Sequence, residues 1–313
     1  MLFGNNKMDS RVLNKILLLL GLFLLAAIIL VAGPVKLLEA VSRANLWLLL
    51  AAAVFLLAAT LLNSLRFHLL AKPSASLSPA DSLYLVCFSQ LVNQGASAML
   101  GDAAKALLLK KMHNLSYSKG VGIIWVERSL DVLFSLICVG FILGSLSPQG
   151  FYLAIAIGLL LLLAWLAVLF SPESLLALIP LEKAKAGLLS FQKTVKGIGV
   201  NVIAKSLACT FFAFTATGLG ALLLLSALGY NLDFFTVLGV VFAGFLAGIA
   251  SGLPGGLGSR EAAMAFIFAQ FGVPVAVTVS VSLLLRVIIS AESFVICQLF
   301  PASKFPTAFT HQN

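Results

Sequence analysis

Residues 252–261 read GLPGGLGSRE, and residues 93–102 read NQGASAMLGD. Each interrupts an otherwise apolar segment, near 235–270 and 82–110 respectively. Gly and Pro at this density cannot sustain a regular helix. Inside a bilayer, broken backbone persists only where protein buries it or where it lines a wet cavity, because lipid offers it no hydrogen-bond partner. How these two stretches are read decides between a row of ordinary spans and a fold with two re-entrant hairpins.

The rest of the chain calls for the bilayer. Of 313 residues, 61% are hydrophobic and 10% are charged, with a mean hydropathy of +1.11. Soluble domains carry about 25% charged residues, so this chain has too few to cover a water-facing surface. Apolar runs long enough to cross a hydrocarbon core lie near 16–33, 46–65, 121–146, 151–170, 203–228 and 274–300. Lys7, Arg11 and Lys15 before the first run resemble a signal peptide. No small-residue cleavage site is convincing, and the run continues the spanning pattern, so a retained first helix is expected.

The net charge of +9 reads as topology rather than as a nucleic-acid surface, because Lys and Arg gather in loops facing an anionic leaflet. Cys87, Cys138, Cys209 and Cys297 lie far apart in apolar runs, and His68, His113 and His311 have no ligand spacing. Neither a disulfide framework nor a metal site is expected, and no cofactor.

Loop charge sets the direction of each segment. Arg66 and Lys72 precede the first broken segment; Lys105, Lys110, Lys111 and Lys119 end or follow it. Positive charge on both flanks makes 82–110 a hairpin that enters and leaves on the cytoplasmic side. The next loop, SLSPQG (145–150), is uncharged and suits the outside, whereas 171–202 holds Lys183, Lys185, Lys193 and Lys196. Both flanks of 235–270, GYNLD (229–233) and FGVP (271–274), lack positive charge, so this hairpin enters from the opposite face.

The expected fold is an all-α polytopic membrane protein with six spans and two re-entrant hairpins, or eight spans if both broken segments cross. Its termini lie in the cytoplasm. Residues 1–150 form a first repeat and 151–313 a second of opposite orientation, the inverted-repeat plan of many transporters. Equal spacings of 26 residues, from Asp102 to Arg128 and from Arg260 to Arg286, accord with it. Residues 171–202 form an amphipathic connector on the cytoplasmic leaflet, either a solvated link or a contact for anionic lipid.

Ionisable groups at membrane depth cost roughly 2.5–3.5 kcal/mol each and call for partners or a wet cavity. They are Asp102, Lys105, Glu127, Arg128, Asp131, Arg260, Glu261, Arg286 and Glu292. On a helix, Glu127 and Asp131 share a face, and Asp131 lies three residues from Arg128. Two readings stand: these groups neutralise one another and lock the helices, or some cations stay free to hold an anionic lipid head group. A half-helix starting near Ser259 would add positive potential beside Arg260. Gly255, Gly256 and Gly258 would admit a close backbone approach there, or simply tight helix packing. No nucleophile–base set and no GxxxxGK[ST] loop is present.

The order NQGASAMLGDAAKALLL (93–109), ERSLD (127–131), LPGGLGSREAA (253–263) and Arg286 resembles the flippase-like transmembrane domain of the lysylphosphatidylglycerol synthases. That group includes stand-alone membrane proteins, and the resemblance covers nearly the whole chain. It implies a lipid translocase whose pocket draws on Asn93, Gly101, Asp102, Glu127, Arg128, Asp131, Pro254, Gly255, Gly256, Gly258, Arg260, Glu261 and Arg286. Two features depart from the pattern: the usual proline before Gly101-Asp102 is absent, and Lys105 stands where arginine is common. The soluble aminoacyl-transferase domain of bifunctional members is missing, so aminoacyl transfer is not expected.

The expected activity is movement of an anionic or zwitterionic phospholipid, or a polyprenyl-phosphate-linked lipid, between leaflets of the plasma membrane. Arg128, Arg260, Arg286, Asn93 and Lys105 would meet the head group. Asp102, Glu127, Asp131 and Glu261 would support them and are the candidates to carry protons. Gly95, Gly101, Pro254, Gly255, Gly256 and Gly258 would supply the backbone breaks. The alternatives are a membrane-embedded transferase acting on a lipid-linked sugar and a non-transporting partner of a lipid or glycan synthase. A separate lipid-modifying enzyme or glycosyltransferase is the expected protein partner.

Overall fold

A computed structural model describes residues 42–95, 100–146 and 182–299, with isolated positions between 30 and 39 and between 149 and 163. The expected spans 16–33 and 151–170, the stretch 171–181 and the C-terminal Lys304 lie largely or wholly outside the described residues.

Among the described residues the fold is helical. In chain order the helices are α1 (Leu46–Ala71), α2 (Pro79–Gly95), α3 (Leu100–His113), α4 (Tyr117–Leu146), α5 (Glu182–Lys196), α6 (Val200–Ala227), α7 (Phe234–Ser251), α8 (Ser259–Ala269) and α9 (Val275–Gln298). Helices α1, α6, α7 and α9 are each long and apolar enough to cross a membrane. The 30 residues of α4 rise about 45 Å, the 11 of α8 only about 16 Å. The protein is an all-α polytopic membrane protein.

The second interrupted segment breaks where its glycines stand, whereas Gly101 of the first, expected to supply a backbone break, lies inside helix α3. The second breaks at 252–258, between α7 and α8, with Gly252, Gly255, Gly256 and Gly258 all at positive φ. The first divides into α2 and α3 on either side of 96–99. The two legs of the second segment are unequal: α7, at 18 residues, is long enough to span on its own.

Helices α1 and α6 pack antiparallel. Asn45 N–H at the start of α1 donates to Ala227 O at the end of α6, at 3.0 Å. Their approach depends on small residues: a Cβ added at Gly220 would lie 2.9 Å from Leu56 Cδ2, with Ala52 and Ala221 buried beside it. Around this pair the same contacts occur twice. Helix α2 packs on α1 as α7 packs on α6, and α3 packs between α2 and α4 as α8 packs between α7 and α9. The long helices then cross over, α4 against α7 and α9 against α2. Phe141 meets Phe235, and Ser293 donates to Gln90 at 2.8 Å, one contact from each crossed pair.

One expectation about the helices changes. The run near 46–65 continues as helix to Ala71, so Arg66 lies inside α1, and 2% of it is exposed. Lys105 is buried as well. Neither is a loop charge: Lys110 and Lys111 lie in the last turn of α3, Lys119 in the first turn of α4, and Lys72 caps the end of α1.

Candidate functional site

Two sets of buried and half-buried charges sit at corresponding positions of their helices. Asp102 is the third residue of α3 and Glu261 the third of α8; Arg128 lies 11 residues after Tyr117 in α4, and Arg286 lies 11 after Val275 in α9. In each half the acid on the short helix binds the arginine on the long helix that follows.

In the first half the charges alternate along a chain. Lys105 Nζ donates to Glu127 at 2.9 Å, and Arg66 Nη2 reaches the other oxygen of Glu127 at 3.3 Å. Arg66 Nη1 binds Asp131 and donates to Thr210 Oγ1 of α6 at 3.0 Å. Arg128 donates to the second oxygen of Asp131 at 2.8 Å and grips both oxygens of Asp102 at 2.7 Å. Lys105 also lies over the Phe67 ring, 4.4 Å from its centroid. Three cations face three carboxylates across α1, α3 and α4, so the cluster is neutral. Desolvation cancels much of the Coulomb gain in such a network, whose worth lies in fixing which helices meet.

The glycines and the amide of the first segment serve its packing. Asn93 Oδ1 accepts the Gly101 N–H at 2.9 Å, tying α2 to α3 across the break. Any side chain at Gly101 would strike the Ser89 carbonyl and Asn93. Gly95 is the last residue of α2.

In the second half the balance differs. Arg286 Nε donates to Glu261 at 3.0 Å, while Nη1 donates to Gln94 Oε1 of α2 at 2.9 Å and to Gly255 O at 2.7 Å. Glu261 also accepts from Ser282 Oγ and from the Gly258 N–H, both at 2.8 Å. The N-terminus of α8 is thereby capped by its own glutamate. A Cβ at Gly255 would lie 3.1 Å from the carbonyls of Asn93 and Gln94, and one at Gly256 would lie 2.7 Å from Gly248 Cα. Glycine is required at both, and Pro254 is buried beside them. The two broken segments thus meet, Gly255 lying against the end of α2.

Arg260 stands apart. Its side chain runs along α7, where a Cβ at Gly244 would lie 3.2 Å from its Cγ. Its Nε is buried without a hydrogen-bond partner, and no carboxylate engages its guanidinium among the described residues. Two cations share one carboxylate here, so the cluster carries an excess positive charge. Glu292, further along α9, likewise has a buried Oε2 with no partner among the described residues.

The sequence-predicted residues therefore fall into two clusters, joined where Gly255 and Arg286 touch α2. Arg66, Gln94, Thr210 and Ser282 were not anticipated. Arg66 carried a signal, a single charge between apolar residues that a longer reading of its helix would have kept inside.

The family described as the transmembrane region of lysylphosphatidylglycerol synthase matches residues 18–291. The UPF0104 membrane protein MJ1078 of Methanocaldococcus jannaschii is 29% identical over 186 residues, covering 56% of this chain and 78% of that protein. With a match from the first apolar run to the last long helix, the chain belongs to the lysylphosphatidylglycerol synthase transmembrane-region family.

Proposed function

We propose that the protein is a lipid translocase and that Arg260 receives the head group of an anionic or zwitterionic lipid. Phospholipids and polyprenyl-phosphate-linked lipids both present the required phosphate. One observation carries this reading: of the five cations in the two clusters, Arg260 alone has no bonded carboxylate among the described residues. A guanidinium whose Nε is buried without a partner is costly, and a phosphate accepting two parallel N–H bonds would satisfy it. Membership of a family named for a phospholipid-modifying synthase supports lipid as the substrate class.

The reading assigns the other charges to positioning. Asp102, Glu127, Asp131 and Glu261 each hold a lysine or arginine in place, and Arg128, Lys105 and Arg286 hold helices together around the site. Residues 1–150 and 151–313 act as two inverted repeats with hairpins entering from opposite faces. The recurring helix contacts and the antiparallel α1–α6 pair support this arrangement. The protein works in the plasma membrane with cytoplasmic termini.

The test is leaflet exchange in proteoliposomes with dithionite-accessible lipids carrying anionic or zwitterionic head groups. Wild-type protein is expected to speed exchange, and Arg260→Ala to lower it at least tenfold with unchanged thermal unfolding. Equal exchange by the variant would remove Arg260 from the head-group site. No exchange by folded wild-type protein with any lipid would overturn the translocase reading.

A further inference from the structure

A cavity open to solvent lies away from both charge clusters. It has a volume of about 590 Å³ and is lined by residues of the α1–α2 loop, the first turn of α4 and one face of α5. Helix α5 is held against α4 by Trp125 packing edge-on to Phe191 at 5.5 Å, and by Gly122, where an added Cβ would lie 3.3 Å from Phe191 O. The cavity is therefore a gap between packed elements.

Its lining is selective in charge. The exposed Lys119 and Lys193 approach from α4 and α5, Ser74 and Ser190 lie in the wall, the Thr194 hydroxyl donates to Ser190 O at 2.8 Å, and no carboxylate lines the wall among the described residues. Neither lysine forms an ion pair among the described residues. Ala186 and Leu189 give one side an apolar surface. Two ammonium groups with neighbouring hydroxyls suit a phosphate, which takes several hydrogen bonds and carries the opposite charge. The apolar strip suits the first carbons attached to that phosphate.

We propose that this cavity is a second anion site, taking a phosphate mono- or diester between Lys119 and Lys193. The ester is either the head group of an anionic lipid or a soluble phosphate compound. Arg260 takes no part in it, so the site stands whether or not Arg260 binds a head group.

Calorimetric titration of the purified full chain in detergent tests it, in an Arg260→Ala background that removes the other candidate anion site. The probes are inorganic phosphate, glycerol phosphate and short-chain phosphatidylglycerol. Saturable binding is expected, weakened at least tenfold by adding Lys119→Ala with Lys193→Ala and retained with Lys119→Arg and Lys193→Arg. Retention in the arginine pair ties the effect to charge rather than to folding. Binding of phosphatidylglycerol alone would assign the site to a lipid head group; comparable binding of the soluble probes would assign it to a free phosphate compound. No saturable binding of any probe, or equal binding after both alanine substitutions, would overturn the proposal.

Discussion

Arg286 and Arg260 are 26 residues apart and identical in chemistry, yet they occupy different situations. Arg286 is bound by Glu261, Gln94 and two backbone carbonyls. Removing its carboxylate by Glu261→Ala leaves a buried guanidinium uncompensated and takes away the cap of α8. The expected cost is about 3–5 kcal/mol, read as a lowered midpoint in thermal unfolding of the purified protein. Glu292 gives the opposite expectation. Its Oε2 is buried with no partner among the described residues, so Glu292→Gln removes an unmatched acid without breaking a pair. The same assay should show an unchanged or raised midpoint, and a drop as large as that of Glu261→Ala would mean that a partner engages it.

The helices are bounded by local chemistry that can be tested at their ends. Asp233 caps α7, its Oδ1 accepting the Thr236 N–H at 2.9 Å. Hydrogen bonding from Thr236 holds this exposed carboxyl below the usual carboxylate range. A folded-state value below the unfolded one adds stability that is complete above the unfolded value and disappears as pH falls through the folded value. Asp233→Ala should therefore cost about 1 kcal/mol at neutral pH. The gap between variant and wild-type unfolding midpoints should close as the pH falls below about 4. A gap that persists in acid would show that the cap does not act through the ionised carboxylate.

Across the described residues, α1 and α6 run antiparallel, and α2–α4 and α7–α9, three helices each, repeat their contacts around them. The 28 residues of α6 rise about 42 Å, enough to place its two ends on opposite sides of a bilayer. Single cysteines replacing Lys196 and Asn231 in a cysteine-free background should thus react with an impermeant maleimide from opposite sides of sealed vesicles. Labelling of both from one side would contradict the topology. The crossed packing, α4 on α7 and α9 on α2, also means that neither half closes its own core, so the halves are expected to unfold together.

The helical membrane class, the break at 252–258 and the acids and arginines of the two clusters other than Arg66 were legible in the sequence. They follow from properties that act within one segment: the length of an apolar run, the inability of Gly and Pro to carry a helix, and the cost of charge in lipid. Partner choice was not legible. Asp131 binds Arg66, which lies 65 residues away, as well as Arg128 three residues before it, and Arg286 donates to the Gln94 amide oxygen of α2, 192 residues distant. The equal spacings that matched Asp102 with Arg260 are one residue off, because Glu261 is the acid that stands third in its helix and binds Arg286. Whether an arginine is matched depends on which helices lie side by side. Only the tertiary packing decided that Arg66, Arg128 and Arg286 are held by carboxylates while Arg260 lies along the glycines of α7 without one.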